Sequence, residues 1–271
     1  MKINFSCILS VYNRKDLYNS FEYVIQSVFQ NTVTPKFMYI VVDGPVNAQF
    51  KKKILQERKK NKYIKLIWLK KNVGEAQALN KIIPKIKSEW IVKLDGDDLS
   101  YKFRFEEQQK YMKKNYDLIG GHVDEIDRDS GKKYIKNLPL NFRDIKKYAR
   151  YRNPFNHMTV AYKKSTFLKL GGYPEIFLKE DYALWALFIK NNCKIINLKQ
   201  SLVRVHDLNY IKRRGGLRYI FAEIKLQKHL AHCNISNLFF AIVIGFLRSL
   251  IFFFNYNIKS FIYKFFLRSI K

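Results

Sequence analysis

Trp90-Ile91-Val92-Lys93-Leu94-Asp95-Gly96-Asp97-Asp98 is the stretch that decides how this chain is read. An apolar strand runs straight into three closely packed acids. Acids are scarce here, 22 Asp and Glu against 51 Lys and Arg. Carboxylates pressed together repel one another and make each other harder to ionise. A divalent cation relieves that repulsion, and hard cations prefer carboxylate oxygens. In an open α/β sheet, ligands collect at the carboxyl ends of strands. The stretch therefore reads as a metal and phosphate site. A solvated acidic turn is the plainer alternative, because Asp-Gly is common turn chemistry.

The flanking segments supply the sheet. Residues 4–11 alternate as a strand, and a helix follows from about Asp16. Its apolar positions Leu17, Phe21, Val24, Ile25, Val28 and Phe29 share one face. Thr34-Pro35 ends it. Phe37–Val42 is a near-continuous apolar strand of the buried parallel kind, closed by Asp43-Gly44-Pro45. A basic helix at about 47–60, a strand at 64–69, a helix from Glu75 to about Ile86 and the strand 90–94 follow. This alternation predicts a parallel, helix-covered sheet with right-handed crossovers. A helix near 102–114 and a strand near 117–123 extend it. Arg104, one turn past the acids, is placed to pair with them.

The chain has 271 residues, 48% hydrophobic and 27% charged, enough for one large domain with an appendage. Its net charge of +29 calls for an anionic partner: nucleic acid, a membrane surface or a phosphorylated substrate. The basic residues are spread along the whole length. Cys7, Cys193 and Cys233 have no metal-type spacing and form no disulfide framework. Without a long apolar run at the N-terminus, the chain is expected to stay in the cytoplasm.

The last third changes character, with no acid after Glu223. Residues 238–254 are apolar apart from Arg248 and Ser249, yet shorter than the about 20 residues of a spanning helix, and a central Arg is costly in a bilayer. Lys259, Lys264, Arg268 and Lys271 then alternate with aromatic and aliphatic residues. The expectation is a membrane-associating tail over 235–271, attracted to anionic headgroups. An ordinary core helix followed by a solvated tail is the alternative.

Ser10-Val11-Tyr12-Asn13, Val42-Asp43-Gly44, Asn72-Val73-Gly74-Glu75-Ala76-Gln77-Ala78-Leu79-Asn80 and Leu94-Asp95-Gly96-Asp97-Asp98 occur in that order. This ordered set resembles family 2 glycosyltransferases with the GT-A fold. Asn156-His157-Met158-Thr159, Gly171-Gly172-Tyr173, Glu180–Trp185 and Arg213-Arg214-Gly215-Gly216 extend the likeness to about residue 220. They look like the bacterial O-antigen, exopolysaccharide and capsule subgroup. The resemblance implies a Rossmann-like nucleotide-binding domain over 1–234, with a donor half to about 124 and an acceptor half after it. It implies an inverting transfer of a hexose, glucose or galactose, from a UDP-sugar to a lipid-pyrophosphate-linked sugar, using Mn2+ or Mg2+. The implied location is the cytoplasmic face of the bacterial inner membrane, peripheral or monotopic.

The resemblance also distributes roles. Ser10, Tyr12, Asn13, Asp43, Asn72, Gly74, Asn80 and Asp95 are candidates for the donor nucleotide. Asp97, then Asp98 and Asp95, are candidates for the metal, with His206 a possible further ligand. Asp181 is the implied general base, taking the proton of the acceptor hydroxyl. Asn156, His157, Glu180, Trp185, Arg213 and Arg214 are candidates for the acceptor or the diphosphate, guanidinium forks matching phosphate oxygens. Structural readings stand beside these: turn capping for Asp43, helix capping at Asn72 and Glu180-Asp181, core packing for the histidines and a solvated basic loop at 212–216.

Two other classes compete. A sugar nucleotidyltransferase shares the sheet and the acids, but places a glycine-rich loop after its first strand; here no glycine precedes Gly44. A non-enzymatic polyanion binder fits the charge, but no nucleic-acid reading motif accompanies it, and no nucleic-acid partner is expected.

Overall fold

Four strands carry the predicted parallel sheet. In the computed structural model, which describes residues 3–126, 131–205, 215–252, 254, 258 and 269–270, these are β1 (Phe5–Val11), β2 (Phe37–Val42), β3 (Ile64–Trp68) and β4 (Trp90–Leu94). β1 lies between β2 and β4, parallel to both, and β3 extends the sheet beyond β2. Helices α1 (Lys15–Phe29), α2 (Ala48–Lys60) and α3 (Glu75–Ile82) make the crossovers. α3 stops four residues short of the predicted end and passes into a 3-10 turn over Ile83–Lys85. Pro84 explains this, since it lacks the N–H that an α-helix would use.

β1 shows how the sheet separates two cores. Cys7, Leu9 and Val11 belong to the cluster built with α1 and α2, whereas Ile8 belongs to the opposite one, as the two-residue strand period requires. α4 (Arg104–Lys113) joins the first layer through Phe105 and Met112. The opposite layer holds α3, α6 (Lys164–Lys169) and α7 (Glu180–Lys190), with the all-apolar face Ala183, Leu184, Phe188 pressed inward.

Beyond β4 the sheet departs from the sequence expectation. β6 (Leu118–Ile126), the strand expected near 117–123, does not lie beside β4. The short β8 (Ala161–Lys163) intervenes, antiparallel to both. β6 then pairs in parallel with β9 (Ile195–Val205) across a register shift at Gly121–Val123, and antiparallel with β7 (Lys133–Lys136), which pairs with β10 (Ser269–Ile270). β5 (Asp98–Ser100), leaving the acidic cluster, pairs antiparallel with β9. Three residues such as β8 are too few to show a two-residue period, so the sequence could not announce the inserted strand.

The chain continues through α5 (Phe142–Tyr148), α8 (Leu217–His232) and α9 (Leu238–Ile251). α9 opens with a cap: the Asn237 side-chain oxygen accepts the Phe240 N–H at 2.8 Å. It lies against α8 closely enough that a Cβ on Gly245 would meet the Gln227 side chain at 3.1 Å. Arg248 faces the protein and pairs with Glu223 of α8 at 3.1 Å. Among the described residues, no helix is long and apolar enough to cross a membrane. The basic-aromatic stretch 259–268 lies outside the described residues.

Candidate active site at the carboxyl edge of the sheet

The carboxyl ends of β1, β2 and β4 open into the loops that carry the motifs. Asp43, just past β2, is 3% exposed. Its carboxylate accepts the N–H groups of Val73 at 2.8 Å and Gly74 at 2.9 Å, and its carbonyl accepts the Asn72 side-chain amide at 3.1 Å. Asp43 thus caps the entry to α3, a different turn from the one before Pro45 that the sequence offered as its structural role. Each carboxylate oxygen holds one N–H. Gly44 makes this approach possible: its φ is +89° and a Cβ would fall 2.6 Å from the Asn72 nitrogen. Gly74 caps α3 at φ +85°. Ser10 pairs in register with Val41, exposed Tyr12 lies under the Arg14 guanidinium at 5.6 Å, and the Asn13 side-chain oxygen accepts the Asn47 N–H at 3.2 Å.

Lys93 is the residue that the sequence reading passed over. It is wholly buried in β4, and its ammonium lies 2.7 Å from Glu75 and 2.6 Å from Asp95. Burial pushes the ammonium toward neutrality, but the two carboxylates more than reverse this and raise its pKa. Asp95 is the counterpart: burial favours its protonated form, Lys93 and then His157 outweigh that, and its carboxyl is held below the ordinary range. A lysine in the middle of a buried strand was itself the signal, since a buried charge needs a partner. Glu75, quoted only as part of a motif, is that partner.

The other two acids are arranged differently. Asp97 pairs with Arg14 at 2.6 Å. Asp98 is buried, and burial followed by the charges of Asp95 and Asp97 pushes its carboxyl well above the ordinary range. Arg104 does not pair directly with the acids. It is buried behind them, donating to the Lys93 carbonyl at 2.8 Å and the Ser100 hydroxyl at 3.0 Å, and burial lowers its pKa to about 10.

Such a cluster of carboxylate oxygens, with burial and the neighbouring acids raising the Asp98 carboxyl, fits a divalent cation. A second grouping, Glu75, Asp95 and His157, brings its ligand atoms within 4.8 Å of one another. There the Lys93 ammonium already stands between the two carboxylates, as the Arg14 guanidinium already stands at Asp97. His206, the further candidate ligand, lies outside the described residues, as do Arg213 and Arg214.

His157 links this edge to the 171–173 turn. Its Nε2 and the Tyr173 hydroxyl are hydrogen-bonded at 2.9 Å. Asn80 serves the same loop. Its amide donates to the Tyr173 carbonyl and accepts the Tyr173 N–H, both at 2.9 Å, so its polar atoms hold the 171–173 turn. Asn156 and Trp185, the other acceptor-side candidates, are both buried. Asn156 is 1% exposed and donates to the Gly121 carbonyl at 3.0 Å. Trp185 is fully buried against Phe155, Phe188 and His157. An indole has the largest apolar area to bury, and the core between α7 and the sheet takes it.

Asp181 stands in the first turn of α7 and accepts the Asn153 side-chain amide at 2.6 Å. Glu180, beside it, is partly buried, and burial pushes its carboxyl up. Backbone hydrogen bonds at Glu180 itself and at Leu178, where α7 begins, oppose that rise. Asn153 gave no signal in the sequence beyond preceding Pro154.

Similarity to known proteins agrees with this architecture. The sequence profile described as Glycosyl transferase family 2 matches residues 6–171. A UDP-Gal:alpha-D-GlcNAc-diphosphoundecaprenol beta-1,3-galactosyltransferase of Escherichia coli is 35% identical over 234 residues, 85% of this chain and 84% of that protein. The amylovoran biosynthesis glycosyltransferase AmsE of Erwinia amylovora is 32% identical over 228 residues, 83% of this chain and 84% of that one. Among solved structures, S. aureus TarS 1-349 in complex with UDP-GlcNAc superposes with a TM-score of 0.65 at 14% identity, over 97% of this chain and 76% of that one. The mannosyltransferase PcManGT from Pyrobaculum calidifontis, with GDP-Man and Mn2+, gives 0.63 at 14% identity, over 92% and 70%. At such identities the likeness concerns the fold.

Proposed function

The chain belongs to glycosyl transferase family 2 and is a glycosyltransferase, and from that premise we propose that it moves a hexose from a UDP-sugar to a lipid-pyrophosphate-linked sugar, inverting the anomeric carbon. The observation that carries this reading is the meeting of Asp43, the Asn72–Gly74 turn and the Asp95–Asp98 cluster at one carboxyl edge of the parallel strands. Galactose is the first candidate hexose and glucose the second; the 35% identical relative is named for UDP-Gal and a diphosphoundecaprenol-linked acceptor.

Asp43 and the turn it brackets hold the base and ribose, with Tyr12 and Asn13 closing the near side. Asp97 and Asp98 would hold the divalent cation, Mn2+ or Mg2+, which when bound neutralises charge on the UDP leaving group. Lys93 and Glu75 fix the Asp95 carboxylate, which then meets the donor in one orientation. His157 and Glu180 line the acceptor side, and Arg213 and Arg214 serve the diphosphate. Asp181 takes the proton of the acceptor hydroxyl as that oxygen attacks the anomeric carbon, and the Asn153 amide holds the carboxylate for it. One displacement forms the new C–O bond and breaks the bond to UDP, turning an α-linked donor into a β-linked product. The donor half is residues 1–124, the acceptor half 125–234 and the membrane-associating tail 235–271.

The apolar surface supports a peripheral place on the cytoplasmic face of the bacterial inner membrane. On α8, Leu217, Phe221 and Ile224 form one exposed face beside Arg218, Lys225 and Lys228. On α9, Phe239, Ile242 and Phe246 are exposed, Phe239 at 76%. Apolar faces edged with basic residues suit a surface of anionic headgroups.

Thermal unfolding with UDP, with and without Mn2+, tests the donor assignment. At about 100 times its dissociation constant, UDP stabilises the fold by about 2.7 kcal/mol, several degrees at this size. The Mn2+-dependent part is expected to vanish in Asp97→Ala. No rise with UDP in either protein would remove the donor site.

A further inference from the structure

Glu223 is wholly buried and carries two cations, Lys179 at 2.9 Å and Arg248 at 3.1 Å. Burial pushes its carboxyl up, and Arg248 and Lys179 more than reverse that, so it stays ionised. The three residues come from different elements: Lys179 precedes α7, Glu223 is in α8 and Arg248 is in α9. A buried ionic group is a poor source of net stability, which leaves its geometry as the feature to explain.

That geometry converges on Asp181. The Arg248 Nη1 donates to the Tyr151 carbonyl at 3.0 Å, and its guanidinium lies 5.9 Å from the Tyr182 ring centre. The Tyr182 hydroxyl donates to the Ala149 carbonyl at 2.6 Å. Tyr151 is two residues from Asn153, Lys179 is two residues from Asp181, and Tyr182 follows Asp181 directly. Asn153 and Asp181 are joined at 2.6 Å. Arg248 therefore ties together the two segments whose spacing sets the Asn153–Asp181 bond. Arg150 adds a parallel tie, donating to the Ile235 carbonyl at 3.1 Å just before α9.

We propose that Arg248, oriented by Glu223, is a positioning residue for the Asp181 carboxylate, so that the terminal helix sets the geometry of the transfer step. This rests on the reading of Asp181 as the base. An arginine suits the task because its planar fork makes two fixed contacts at once, one to Glu223 and one to the Tyr151 carbonyl, while a lysine is a single point charge. It also accounts for an arginine in a helix that is otherwise apolar save for Ser249.

The test compares wild type, Arg248→Lys, Arg248→Met and Asp181→Asn as full chains, with UDP-galactose and an α-GlcNAc-diphosphate on a short detergent-soluble alkyl chain. That acceptor needs no membrane, so any effect is on the site itself. Arg248→Lys keeps the charge beside Glu223 and is expected to keep the melting temperature, yet to lose about tenfold in kcat with both KM values within about twofold. Arg248→Met is expected to lose more, toward about a hundredfold, the scale of a displacement of about 1 Å in a reacting group. A purely structural role would lower the amount of folded enzyme and leave the kcat of the folded fraction unchanged. Full kcat in Arg248→Lys, or a rise in KM with kcat intact, while Asp181→Asn has lost transfer, would overturn the proposal and leave the base reading standing. Normal transfer by Asp181→Asn would overturn the base reading itself.

Discussion

Lys93 ties two acids of the carboxyl edge to one side chain. Its ammonium is wholly buried, while Glu75 and Asp95 are 46% and 25% exposed. Losing one partner of a buried ion pair costs about 3–5 kcal/mol. The two acids keep access to water, so Lys93→Met is expected at the lower end, about 3 kcal/mol in denaturant unfolding; a loss below about 1 kcal/mol would mean the ammonium does not anchor the pair. Asn80 separates two roles. Alanine there removes both bonds to the Tyr173 backbone, which predicts about 2 kcal/mol of lost stability at about 1 kcal/mol per bond and unchanged UDP affinity in a titration. A large drop in UDP affinity at intact stability would return Asn80 to the nucleotide. The place of the acids at 95–98 past a strand end was legible because the apolar run Trp90–Leu94 stops at them. Trp185, Asn156 and Asn80 were not, because a motif gives order along the chain and says nothing of which way a side chain faces. Asn153 was invisible, since its bond to Asp181 spans 28 residues of sequence.

At the level of elements, the parallel half was readable because each strand and helix there is long enough to show its period. β8 and the antiparallel turn of the sheet were not, for the converse reason. α8 carries a pH dependence. His229 shares a hydrogen bond with the Ala183 carbonyl at 3.0 Å, and burial lowers its pKa below the ordinary 6.5. A histidine depressed in the folded state binds fewer protons than in the unfolded chain, so stability is full above the unfolded value and falls as pH drops below about 6.5 toward the folded pKa. His122 in β6, also lowered by burial, adds to the same decline. The melting temperature is therefore expected to fall from about pH 6.5 downward, and less steeply in His229→Gln. An identical slope in the variant would remove His229 as a source.

The whole molecule combines a charge of +29 with apolar faces on α8 and α9. Salt acts on the first and hardly on the second. Flotation with vesicles rich in anionic lipid is expected to carry the protein up at about 0.1 M salt and less of it at about 1 M, where the screening length shrinks from about 10 Å to about 3 Å. Phe221→Glu and Phe239→Glu are each expected to weaken flotation at both salts. Equal flotation with neutral vesicles would remove the electrostatic part. The sequence foresaw an apolar, basic tail but not that Arg248 turns inward, because Glu223 lies 25 residues earlier and only the fold brings them together.

Transfer itself is the most direct measurement. Purified full-length chain, UDP-galactose, Mn2+ and GlcNAc-diphosphoundecaprenol in vesicles are incubated together, and the lipid-linked disaccharide is measured for wild type and Asp181→Asn. A β-linked disaccharide from wild type and none above background from Asp181→Asn is the expected result. Equal product from both proteins, an α-linked product, or no transfer from either UDP-galactose or UDP-glucose would contradict it.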